Sequence, residues 1–296
     1  MKTLKSACIA GGMIGLLAMG MSGVASAALV VDRGLPNTNL NNVAGPDRSN
    51  VAWDFGSEAG GTGDAWIAGD DFTLPCLSCQ PKHTDYWNIY RITVWAIAGG
   101  YESDFQLGDR YQTISLFLGQ DQGEDTVVPR VATANVTGNE TDNANVTITP
   151  VDYPDNPGVA YQGSGGSFIQ IWQIDFFDLG IFSEGQYLFA ADGISTTGDP
   201  QPLWFNHASN AALSGTPQDQ SDDLYRWFFG NAGLDEIVFG GMVDSDGFGW
   251  DKSSDINIRV YAEHVRTDIP EPGSLLLMGM GILGLLSAMR RRRMFS

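Results

Sequence analysis

Tyr111-Gln-Thr-Ile-Ser-Leu-Phe-Leu118 states the fold class most plainly. Ile114, Leu116 and Leu118 share one face at the two-residue period of a strand, with Gln112 on the same parity near its start. That pattern predicts a half-buried strand. Similar β-branched and aromatic runs recur between Gly, Asn, Asp and Pro clusters, at 89–98, 127–136, 146–151, 168–177, 186–191, 203–207, 224–229, 237–242 and 256–263. No helical period of useful length interrupts them. The chain therefore reads as all-β: one β-sandwich ectodomain over 28–267, most simply of jelly-roll type. About 240 residues can bury a full core without staples. The segment 138–166, rich in Asn, Thr, Pro and Gly, is expected to be the long or mobile region. Within it and just before it, Asn135, Asn139 and Asn145 match the N-glycosylation acceptor pattern, read here as chance.

The charge excludes some partners. Between Ala28 and Pro270 there are ten basic residues against 34 acidic ones, a net charge of −24. Such a surface repels nucleic acid and anionic membrane, and attracts divalent cations or a cationic polymer. The acids are 27 Asp and eight Glu over the whole chain, a bias toward turns and short oxygen-ligand loops over helices.

Both ends of the chain are addresses. Lys2 and Lys5, an apolar stretch over 7–23 and Ala25-Ser26-Ala27 make a secretory signal peptide (1–27) with its cleavage site after Ala27. At the other end stand Pro270-Glu271-Pro272, an uncharged apolar run over 273–289, and Arg290, Arg291, Arg292 and Arg293. As a helix the run would span roughly 26 Å against a hydrocarbon core of about 30 Å, which is short but sufficient. The arginines cost about 2.5–3.5 kcal/mol each at the bilayer centre, so they stop on the cytoplasmic side and the chain before Pro270 is outside.

This tail, 268–296, resembles the PEP-CTERM sorting signal of exported bacterial proteins, with its Pro-Glu-Pro tripeptide, short membrane segment and terminal arginine cluster in order. The resemblance implies delivery by the general secretion machinery and transient anchoring in the inner membrane. It further implies processing near Pro270, Glu271 and Pro272 by an exosortase, in a Gram-negative host that makes exopolysaccharide or biofilm matrix. Gly69-Asp-Asp-Phe-Thr-Leu74, the run from Trp87 to Trp95 and the run from Asp255 to Tyr261 are also similar to the β-sandwich ectodomains that often precede this tail. No activity comes with that second likeness.

Candidate chemistry inside the ectodomain has a bland reading beside each sharp one. Cys76 and Cys79 are expected to form a disulfide after export, while His83 would complete only half a zinc site. Asp244, Asp246 and Asp251 surround a Gly-rich turn suited to Ca²⁺, but Phe248 stands where an oxygen ligand belongs, so a solvated turn competes with a site. Asp64, Asp70 and Asp71 form a second acidic cluster with the same two readings, and Asp222 and Asp223 a weaker one. Trp66, Trp204 and Trp250 stand in or beside turn-like segments as candidate sugar platforms, against core packing. His83, His207 and His264 fall in no recognised triad pattern, and no nucleophile elbow or His-Glu-x-x-His occurs.

The reading is a non-enzymatic structural or adhesive protein of the cell surface or exopolysaccharide matrix. A calcium-assisted carbohydrate-binding module is the alternative. A glycan hydrolase is the third reading, because paired carboxylates meet only in space.

Overall fold

The computed structural model describes residues 28–34, 51–53, 65–77, 85–99, 106–151, 161–162, 168–195, 204–207, 219–220, 224–230, 233–243, 255–266 and 280. The expected signal peptide lies outside them, as does the expected membrane helix apart from Met280. Among the described residues no helix is long and apolar enough to cross a membrane.

The strands are β1 (Ala28–Asp32), β2 (Val51–Trp53), β3 (Ala65–Leu74), β4 (Asp85–Gly99), β5 (Tyr111–Gln120), β6 (Val127–Thr137), β7 (Glu140–Thr141) and β8 (Val146–Pro150). They continue with β9 (Tyr161–Gln162), β10 (Phe168–Ser183), β11 (Gly185–Ser195), β12 (Phe205–His207), β13 (Tyr225–Gly230), β14 (Glu236–Val243) and β15 (Ile258–Arg266). Two antiparallel sheets result. Sheet A runs β1-β15-β4-β10-β8, with β12 and β9 pairing onto β4 and β10. Sheet B runs β14-β13-β3-β11-β5-β6-β7.

Sheet B does not stay open. Ile237 pairs with Val128, so β14 meets β6 and the six strands from β14 round to β6 form a ring. Each strand contributes to a buried second core: Ile67, Phe117, Val128, Phe228, Leu188 and Ala190 of β11, and Ile237 and Phe239 of β14. The alternate residues face sheet A, where Ala68, Phe72, Leu116 and Phe189 pack with Ile92, Val94, Trp172, Phe176 and Val260. This corrects the half-buried reading of Tyr111–Gln120. Leu116 and Phe117 point to opposite sides and both are fully buried, because the curled sheet has a core on each face. Each such side chain contributes about 1.5–3 kcal/mol of burial. Ring closure also removes exposed edges that two open sheets would leave.

Of the polar stretch after Gly138, residues 138–151 form turns and the strands β7 and β8. Asn135 donates its side-chain amide to Asp142 at 2.7 Å, and these bonds from Asn135 hold the Asp142 carboxyl below its usual range. Asn139 accepts from the Trp172 indole at 2.9 Å and from Leu107 N at 3.1 Å. Asn135 and Asn139 are thus held through their side chains, and Asn145 through its backbone, which donates to Asn143 and accepts from Phe177.

Candidate functional site

Everything after Arg266 hangs from β15, and β15 is held on both sides. It pairs with β4 from Ile258↔Val94 to Arg266↔Asp85, and with β1 from Arg259↔Asp32 to Ala262↔Ala28. Because β1 is antiparallel to β15, the first residue after the expected signal cleavage and the last strand residue before the tail leave from the same end of sheet A. Pro270 is four residues beyond Arg266, so the chain between them reaches at most about 14 Å.

Around this root sits a polar cluster drawn from distant parts of the sequence. Asp85 is buried and accepts from Leu77 N at 2.9 Å, while its Oδ1 lies 2.8 Å from His264 Nε2. The His264 ring packs beside Trp87 at 5.3 Å, and the Trp87 indole donates to the Pro75 carbonyl at 3.0 Å. Cys76 Sγ and the carboxylates of Asp85 and Glu184 lie within 4.8 Å of one another. Cys76 is disulfide-bonded, so it offers no thiolate, and the zinc reading of its loop loses a ligand. Cys79 and His83 lie outside the described residues.

A second cluster ties the root to the two sheets. Arg33, just after β1, is fully buried and directs all five guanidinium N–H groups to partners. Nη1 donates to Asp70 Oδ2 (2.7 Å) and the Ile256 carbonyl (3.2 Å), and Nη2 to the carbonyls of Asp71 (2.8 Å) and Gln220 (3.1 Å). Nε reaches the Asp219 carbonyl at 3.3 Å. Asp70 also accepts from Ile256 N at 2.6 Å, and Asp71 pairs with Arg226 at 2.9 Å. Asp255 stands 3.8 Å from Arg33. Of the two readings of Asp70 and Asp71, a solvated turn and a calcium-type cluster, neither describes them: both are buried in β3, and guanidinium groups occupy the cation position. Asp64, Asp222 and Asp223 lie outside the described residues.

Three buried carboxylates here meet two guanidiniums. Burial pushes Asp70 up to about 8, opposed by Arg33 and assisted by Asp255 and Asp71. Burial pulls Arg33 down, but Asp70, Asp255 and Asp71 outweigh it and hold the guanidinium above its ordinary range.

The tryptophans divide. Trp204 is 2% exposed, donates to Asn206 Oδ1 at 3.0 Å and meets Tyr111 edge-on at 4.9 Å. A Cβ on Gly193 would come within 2.6 Å of its ring, so this face is already filled by protein. Trp204 is a core residue and is withdrawn as a sugar platform. Trp66 is half-buried, against Trp227 at 6.2 Å and against Phe229. Asp244, Asp246, Trp250 and Asp251 lie outside the described residues. The Asp85–His264 and Arg33–Asp70 pairs had no signal in the sequence, since their members stand 179 and 37 residues apart.

No curated protein and no solved structure matches the chain. The tail does match: residues 268–293 correspond to the PEP-CTERM protein-sorting motif. The motif begins one residue after Thr267, immediately outside the last paired strand. The chain is thus an all-β ectodomain carrying a PEP-CTERM sorting motif, which implies an exported protein, transiently anchored in the membrane and processed by an exosortase.

Proposed function

We propose that the chain is a structural or adhesive component of the cell surface or exopolysaccharide matrix of a Gram-negative bacterium, delivered there by its tail and without catalytic activity. One observation carries this reading. The tail begins after the last hydrogen-bonded residue of β15, so its removal leaves every described strand pairing in place. A domain that loses no described strand pairing on cleavage suits release as a finished building unit. The buried carboxylates support the same reading, because Asp70, Asp71 and Asp85 are engaged by Arg33, Arg226 and His264.

The test is fractionation of the host into inner membrane, periplasm, washed surface matrix and medium, following the native chain and a Glu271→Ala variant. The native chain should collect in the surface matrix, and the variant should stay in the inner membrane. Native protein found in the periplasm, with no effect of the variant, would sink the proposal.

A further inference from the structure

We propose that the part of sheet A's outer face around Tyr90, Arg91 and Tyr261 is a binding platform for a polysaccharide strand; further along the same face Thr93, Trp95 and Ile97 are buried. The inference deepens the surface-matrix reading above by naming the part of the molecule that grips the polymer.

The platform is made by a slip in strand register. On β4, Arg91 pairs with Tyr261 of β15 and Phe177 of β10, whereas the next paired residue, Ile89, meets Ala262 and Gly180. Tyr90 is therefore an extra residue on β4 with no counterpart on β15. Ile89 and Ile92 both point into the inter-sheet core, which leaves Tyr90 and Arg91 side by side on the outer face. Bulges of this kind re-aim side chains at functional surfaces. On β10 the matching irregularity is carried by Asp178 and Gly180, whose φ values are 55° and 102°. Asp178 there adopts a left-handed conformation uncommon for a residue with a Cβ.

The side chains brought together have the chemistry of sugar recognition. The Arg91 guanidinium lies 3.7 Å over the Tyr261 ring, and the Tyr90 and Tyr261 rings are 6.0 Å apart at 55°. Stacking on Tyr261 fixes a long cation that would otherwise wander. Among the described residues neither tyrosine hydroxyl finds a hydrogen-bond partner within the fold, so both remain available to a ligand. In register across the sheet stand Leu29, Tyr261, Arg91 and Phe177, from β1 to β10. Three inter-strand intervals make this row about 14 Å long. Leu29 is 42% exposed at one end, and Ile181, one row below, is 65% exposed at the other. Apolar ring faces alternating with hydroxyls and a fixed charge fit a pyranose chain, which itself alternates apolar faces with hydroxyl rims.

The charges around the platform are mixed. Arg91 stands with Glu263 of β15 and the exposed Asp178 of β10, while Arg259 is paired with Asp32 at 2.8 Å and Asp175 is capped by Thr93 and Gln173. Recognition here therefore rests on ring faces and hydroxyls rather than on net charge.

Affinity gel electrophoresis of the full chain, in a detergent without a sugar headgroup, tests the platform. The gels would hold hydroxyethyl cellulose, alginate or the host's own exopolysaccharide. Retardation is expected in at least one polysaccharide gel, weakened at least tenfold by Tyr261→Ala and by Tyr90→Ala. Tyr261→Phe should keep most of it, because the ring remains, and Glu140→Ala, exposed on β7 of the other sheet, should change nothing. Unfolding temperatures of the variants separate lost binding from lost fold. Absence of retardation in all three gels, or retardation that ignores both alanine variants, would overturn the platform. The surface-matrix reading fails separately, through the fractionation described above.

Discussion

Arg33 is the residue on which the two sheets converge, and its five donated hydrogen bonds explain how a buried cation is tolerated. A buried ion pair repays its desolvation only when geometry is good and the remaining donors are satisfied. Here they are, but the cluster still holds one negative charge too many. Asp70, raised to about 8, binds a proton more tightly in the folded than in the unfolded chain. Its stabilising effect is therefore full below about pH 4 and is lost as pH climbs toward about 8, with a slope of at most about 1.4 kcal/mol per pH unit. Urea midpoints measured from pH 5.5 to pH 9 should fall for the native chain and fall less steeply for Asp70→Asn. Equal slopes would mean that Asp70 is ionised throughout. None of this was legible in the sequence, where Arg33 is one base among sixteen and Asp70-Asp71 reads as a turn or a cation loop. Only the fold brings Asp70, Asp255 and the Asp219 carbonyl around one side chain.

At the scale of elements, β3 shows where pattern reading stops. Gly69-Asp-Asp looks like a turn, yet it lies mid-strand between β13 and β11. Each violation of strand chemistry has a local cause. Asp70 and Asp71 each have a guanidinium partner, and a Cβ on Gly69 would collide with the Phe189 carbonyl and the Phe228 ring. Gly69→Ala should accordingly lower stability by about 1–3 kcal/mol, despite adding a single carbon. Urea unfolding measures it, and a neutral or stabilising result would contradict the close approach of β3 to β11. By contrast Tyr111–Gln120, Val127–Thr137 and Ile258–Arg266 announce themselves through alternating apolar residues, and their existence was legible. Their second buried face was not, because ring closure depends on the short β14–β6 contact. The bulge at Tyr90 was equally invisible, since adjacent tyrosine and arginine have no period.

For the whole molecule, chain direction and sheet order assign the two ends a common side. β1 begins beside Ala262 and β15 ends at Arg266, so the chain enters β1 and leaves β15 at one end of sheet A. The described strands between 28 and 266 pair with one another, and the sorting motif starts at 268. The address was legible because it is local and contiguous: Pro270, Glu271, Pro272 and Arg290 to Arg293 need no fold to be read. What the ectodomain does was not legible in the same way, because its surface is assembled from residues far apart in the chain.

The intact mass of the protein recovered from the host surface tests the central claim most directly. The account predicts a chain that begins at Ala28 and ends near Pro270, without Arg290 to Arg293, any added group appearing at that new end. A surface or membrane protein whose mass still includes the apolar run and all four arginines would contradict it.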